Sequence, residues 1–153
     1  MKSYLIYLVI IINLLSTAPA DEWKFFYRSQ QQFTSIWGNA ANDIFAVGFD
    51  GLISHYDGSQ WQEMASGTFS NLMDIWGSSS TDVFVVGGGG TILHYDGNQW
   101  NIMNSGTAFY LSGVWGTSNT DIFAVGHEGT ILHYDGNQWT TMIGGTGANL
   151  NSI

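Results

Sequence analysis

Apolar positions along this chain come in short adjacent runs between glycine-rich and polar turns, and the pattern recurs every 39 residues. Trp37, Trp76 and Trp115 mark the period, as do Tyr56, Tyr95 and Tyr134. Each period holds four runs. The first surrounds Ile36-Trp37, the second covers 44–47, the third 52–56, and the fourth starts at Trp61 and fades past Met64. Polar stretches such as Ser78-Ser79-Ser80-Thr81 read as turns. Asp57-Gly58 is a hairpin signal, because both residues tolerate positive φ. Short runs rich in β-branched and aromatic side chains predict strands, and no stretch carries a helical period.

The second and third runs are apolar at neighbouring positions, as in Val83-Phe84-Val85-Val86 and Ile92-Leu93. A sheet with one wet face would alternate, so these strands belong to sheets covered on both sides. A fixed period means one unit copied in series. Four-stranded antiparallel sheets, each sandwiched between copies of itself, are the blades of a β-propeller. A stack of parallel coils, a β-solenoid, competes with this reading, but Asp-Gly hairpins join antiparallel strands. The expected fold is all-β: a partial β-propeller of three four-stranded antiparallel blades plus one N-terminal strand. The blades are assigned to 36–74, 75–113 and 114–153, and the lone strand to 21–35, around Trp23-Lys24-Phe25-Phe26. Rings need ~4–8 blades. The expectation is therefore a fragment of a larger ring, with an open blade edge that invites self-association. Trp37, Trp61, Trp76, Trp100, Trp115 and Trp139 are expected to form the core between blades.

The first twenty residues carry a different pattern. Lys2 precedes an apolar run over 4–15, and Ala18-Pro19-Ala20 supplies the small residues of a cleavage site. This is a secretory signal cut after Ala20, which implies a secreted or periplasmic protein. The run falls short of the ~20 residues that span a bilayer, so no membrane insertion is expected after cleavage. The chain has no cysteine, which excludes disulfides and lipoprotein anchoring. Beyond Ala20 only Lys24 and Arg28 oppose twelve carboxylates, a formal charge of −10. Such a surface repels phosphate backbones, so nucleic acid is not a partner.

The repeat Trp-Gly, Asp-Ile-Phe-Ala-Val-Gly, Gly-Thr-Ile-Leu-His-Tyr-Asp-Gly-Asn-Gln-Trp resembles those of bacterial secreted β-propellers. It is loosely similar to sialidase-type Asp-box repeats and to photosystem II assembly-factor propellers. The Asp box is degenerate here: Ser54, Gly58 and Trp61 fit, but Tyr56 and Gln60 replace its aspartate and threonine. The resemblance implies a propeller from a bacterium and leaves the ligand open.

Candidate chemistry is sparse. His55, His94 and His133 recur once per copy, which suits packed histidines bonded to a turn better than one converging site. Asp43, Asp82 and Asp121 are expected to accept backbone N–H bonds in their own turns. No catalytic residue, cofactor or metal ligand is assigned. A sialidase-type site would need an arginine cluster, and a kelch-type copper oxidase would need a cysteine. No G-x-S-x-G, P-loop or H-E-x-x-H motif occurs. Binding groups belong where the copies differ, on loops of a rigid scaffold. The 2–3 and 4–1 loops share one rim of each blade. They carry Phe49, Asp50, Phe69, Phe109, Tyr110, His127 and Glu128. The expected function is a non-catalytic binding or scaffolding module for a protein or glycan. The alternative is the N-terminal part of a propeller-type glycoside hydrolase or lyase with its catalytic groups in other blades.

Overall fold

The structure is a computed structural model that describes residues 32–143 and 147–153. The signal segment 1–20, its cleavage point and the strand around Trp23 lie outside the described residues. The unit from Gln32 to Ile153 is built of three four-stranded antiparallel sheets, each with its strands in sequence order. The first contains β1 (Phe33–Ala40), β2 (Asp43–Gly48), β3 (Ile53–Tyr56) and β4 (Trp61–Met64). The second contains β5 (Leu72–Ser79), β6 (Asp82–Gly87), β7 (Ile92–Tyr95) and β8 (Trp100–Met103). The third contains β9 (Leu111–Ser118), β10 (Asp121–Gly126), β11 (Ile131–Tyr134) and β12 (Trp139–Met142). These are propeller blades. Each first strand begins three residues before the repeat boundary set at Ile36, Ile75 and Val114, so Phe33–Ser35 are part of the first blade.

The register places like residues on like faces. Trp37, Phe45 and His55 lie side by side across β1–β3, as do Trp76, Phe84 and His94 in the second sheet. Ile44, Tyr56 and Trp61 form the neighbouring row and point to the opposite face, because side chains alternate along a strand. Each sheet thus has a forward face, with the strand-1 tryptophan and strand-2 phenylalanine, and a backward face with tyrosine and the strand-4 tryptophan. Forward meets backward twice. Phe45 tilts against Tyr95 (5.6 Å) and meets Trp100 edge-on (6.2 Å). Phe84 does the same with Tyr134 (5.7 Å) and Trp139 (6.4 Å). Val47, Ile53, Val85 and Leu93 close the first interface, and Val86, Ile92, Ile122 and Leu132 the second, all fully buried.

The tryptophans divide accordingly. Trp100 and Trp139 are buried, and Trp37 and Trp76 are half-buried against the next sheet. Trp61 and Trp115, expected in the core, are instead 49% and 45% exposed. The reason is position: Trp61 sits on the backward face of the first sheet and Trp115 on the forward face of the third, where no neighbouring sheet follows among the described residues. Trp100 and Trp139 bury their indole N–H groups without an acceptor. That arrangement is costly, and the apolar packing of the rings has to outweigh it.

The first strands lie beside one another and tie the sheets together. Thr34 Oγ1 donates to Leu72 O (2.7 Å). Asp74 accepts from Ser35 Oγ (2.8 Å) and from the backbone N–H of Val114 (2.9 Å), so one carboxylate links β1, β5 and β9.

Candidate binding rim

The 2–3 turns are Phe49–Gly51, Gly88–Gly90 and His127–Gly129. The central residue of each is left-handed: φ is 55° at Asp50, 64° at Gly89 and 56° at Glu128. Among the described residues Asp50 and Glu128 are the two non-glycine positions with positive φ. An L side chain there costs about 1–2 kcal/mol. The turns are held from both sides. Phe49 N–H donates to Gln32 O ahead of its sheet (3.1 Å), and Gly51 N–H donates to Ser70 O behind it (2.9 Å). Gly88 N–H donates to Asn71 O and His127 N–H to Tyr110 O, each at 2.8 Å.

Two side chains complete this frame. Asn71 Oδ1 accepts the N–H of Asp50 (3.2 Å), and Asn149 Oδ1 accepts that of Glu128 (3.1 Å). Sequence reasoning missed both asparagines. The signal was present, because asparagine occupies this column in the two copies whose turn carries an acid. Tyr110 replaces it in the copy whose turn is Gly88-Gly89-Gly90. The Asp50 and Glu128 backbones are thus bonded, and both residues are exposed.

The seven rim residues fall into two groups. Phe49 and Asp50 adjoin the connector that carries Phe69, which is 92% exposed. Tyr110 stacks on His127 (centroids 4.9 Å, 29°), next to Phe109 and Glu128 in sequence. Burial pushes the Tyr110 phenol above its ordinary value. Phe109 is 52% exposed. Phe69 and Phe109 stand on different connectors and in different columns of the repeat.

The recurrent histidines and aspartates lie at the other end of the sheets and bond to each other. His55 Nε2 is 2.7 Å from Asp43 Oδ1, His94 is 2.7 Å from Asp82, and His133 is 2.8 Å from Asp121. Each imidazole also stacks on the strand-2 phenylalanine, at 4.2 Å for Phe45, 4.3 Å for Phe84 and 4.6 Å for Phe123. The expected backbone-bonded turn aspartates are therefore side-chain partners of histidine. The sign was a constant twelve-residue spacing of Asp and His in every copy. Ser78 Oγ and Thr117 Oγ1 donate to the second oxygen of Asp82 and Asp121. The carboxylate stands between hydroxyl and imidazole, whereas nucleophile activation needs the imidazole in the middle. This is a packing network. Among the described residues no three His, Asp or Glu side chains converge.

The hairpin aspartates behave as the turn chemistry implies. Asp57 accepts from Ser59 N–H (2.8 Å), Ser59 Oγ (2.7 Å) and Gln60 N–H (2.9 Å). The Ser59 hydroxyl, followed by the Gln60 and Ser59 amides, brings its carboxyl down to about 2 from the ordinary 3.8. Backbone amides of Gln99 and Asn98, with the Asn101 amide, lower Asp96, and those of Gln138 and Asn137 lower Asp135. The Thr117 hydroxyl and then His133 lower Asp121. A folded-state value below the unfolded one gives stability that is complete above the unfolded value and lost as pH falls through the folded one. The thermal midpoint is expected to hold near neutrality and to drop from about pH 4 downward. Asp57→Asn should flatten that decline. A midpoint independent of pH down to ~2 would contradict these assignments.

The fold places the chain among β-propellers. No protein-family model and no curated protein sequence matches it. Solved structures do. YCF48 from Cyanidioschyzon merolae aligns with a TM-score of 0.62 at 17% identity, over 76% of this chain and 41% of its own. A structure described as YCF48 bound to D1 peptide aligns at 0.59 and 16%, over 72% and 40%. A COPII outer coat vertex on membranes aligns at 0.61 and 13%, over 81% and 40%. The chain spans about two fifths of the length of these structures. At these identities the likeness is one of fold.

Proposed function

We propose that this chain is a non-catalytic, exported binding module whose 2–3/4–1 rim holds an extended segment of a partner protein. One observation carries this reading: the copies repeat their scaffold column by column and diverge at the rim, where they expose Phe69, Phe109, Asp50 and Glu128. Rigid strands under variable loops are the usual arrangement for recognition. The ligand class follows from chemistry. From Gln32 onward the chain has ten carboxylates and neither lysine nor arginine. An apolar segment flanked by basic residues complements exposed phenyl rings beside acids. A propeller of similar fold described with a bound peptide supports a peptide over a sugar. Export rests on Lys2, the apolar run and Ala18-Pro19-Ala20.

The test is selection from a random peptide library against the full chain, followed by titration of the enriched peptides. Enrichment of basic, apolar segments is expected, with affinity falling at least about tenfold in Phe69→Ala/Phe109→Ala, a loss of ~1.4 kcal/mol. No enrichment, or binding indifferent to the double variant, would sink the reading. Retention of glycans instead would replace the partner class. Mass spectrometry of the exported protein should find Asp21 at its N-terminus.

A further inference from the structure

Two connectors join the three 2–3 turns into one line across the sheets. Asn71 reaches both ways: its Oδ1 accepts the N–H of Asp50 (3.2 Å), and its carbonyl accepts the N–H of Gly88 (2.8 Å). Tyr110 spans the next gap. Its carbonyl accepts the N–H of His127 (2.8 Å). Its ring lies between the second and third turns, stacked on the His127 imidazole at 4.9 Å, and a Cβ on Gly88 would meet it at 3.6 Å. The rim residues around Asp50 and those around Glu128 are therefore linked through the glycines of the middle turn.

This line has a chemical order. Asp50 and Glu128 hold the same column, are exposed, and have their backbones fixed by Asn71 and Asn149. Among the described residues there is neither lysine nor arginine to neutralise them. Between them the middle turn is Gly88-Gly89-Gly90, without a side chain, and Gly89 is exposed. The cap is missing there too. Tyr110 stands in the asparagine column, so the Gly89 N–H lacks the acceptor that Asn71 gives Asp50 and Asn149 gives Glu128. The middle turn offers a donor where its neighbours offer an acid.

The spacing of the two acids sets a length. Packed sheets lie ~10 Å apart, so the first and third turns are separated by ~20 Å, which an extended chain covers in ~6 residues at ~3.3 Å each. We infer that the three turns form one track: a partner segment lies extended across the sheets, with one basic side chain at Asp50, a second ~6 residues away at Glu128, and a main-chain carbonyl between them accepting from the Gly89 N–H. This rests on the peptide reading above and adds to it a register and an anchor point. Register is the discriminating property, because two cations set closer together reach only one acid at a time.

The experiment titrates the full chain at low ionic strength, where screening is least, with synthetic peptides of one composition that carry two lysines about three, six or nine residues apart on an apolar frame. The six-spaced peptide is expected to bind about three- to fivefold more tightly than either other, the size of one exposed ion pair. Asp50→Asn and Glu128→Gln keep the shape of the side chain and the bonded backbone N–H, so both variants should fold as wild type by circular dichroism. Each should reduce the six-spaced peptide to the level of the three-spaced one. Tyr110→Asn set against Tyr110→Ala reads the middle anchor. Both lose the ring, but only asparagine can cap the Gly89 N–H, so Tyr110→Asn should bind about fivefold more weakly. Binding indifferent to lysine spacing, a preference that survives both acid variants, or Tyr110→Asn binding as tightly as Tyr110→Ala would each overturn the track. The peptide reading would outlive such a result as long as Phe69→Ala/Phe109→Ala still weakens binding, so the two failures are distinct.

Discussion

Phe84→Ala is expected to cost the fold about 3–5 kcal/mol, the range for emptying a fully buried aromatic site. Phe84 is 1% exposed. It stacks on His94 within its own sheet and meets Tyr134 and Trp139 of the next. Removing the ring uncovers contacts on both sides and leaves a hole framed by β-sheet backbone, which collapses little. Phe45→Ala should cost a similar amount, since its environment is the same one repeat earlier. Phe123→Ala should cost far less, near 1 kcal/mol. That ring stacks on His133, and among the described residues no tyrosine or tryptophan of a following sheet lies against it. Urea unfolding of the three variants checks the comparison. Equal losses at Phe84 and Phe123 would mean that the interface between sheets contributes little, and the whole account of the stack would fail.

The same columns show why most of the fold was legible and part of it was not. A repeat states each position three times. The run 44–47 lies within β2 (Asp43–Gly48) because β-branched and aromatic residues recur there in every copy, and Asp57-Gly58 fixed the antiparallel sense. What a column cannot state is whether a copy has a neighbour. Trp61 reads like Trp100 and Trp115 like Trp76, yet one of each pair faces solvent. Strand starts were blurred for a related reason. Thr34, Ser35 and Asp74 break the apolar pattern at the head of the first strand, since these polar groups bond across to the next first strand. At the rim the variable loops were placed by topology alone. The asparagines that hold them were overlooked because Asp50 and Asn71 are 21 residues apart and meet only once the sheets are stacked. The Asp–His pairs were overlooked because each partner had a plausible local role.

Substitution of two adjacent glycines separates conformation from space at that rim. Gly89→Ala is expected to cost about 1 kcal/mol. Its φ is 64°, but a Cβ there meets nothing within 4 Å, and the same position carries Asp50 and Glu128 in the other copies. Gly90→Ala should cost about 3 kcal/mol or more. Its φ is 72°, and a Cβ would lie 2.1 Å from Thr107 O and 3.0 Å from Ser105 Oγ. The clash is with backbone, which cannot rotate away, so the turn must leave the connector it packs against. That movement would carry Thr107 with it and disturb the neighbouring residues Phe109 and Tyr110, on one side of the rim. The two variants therefore differ in function as well as stability. Gly89→Ala should bind a selected peptide as wild type does, and Gly90→Ala should bind it weakly even at temperatures where it stays folded. Unfolding curves and one peptide titration test both parts. A Gly90→Ala protein as stable and as competent as Gly89→Ala would show that the turn does not pack on the 4–1 connector.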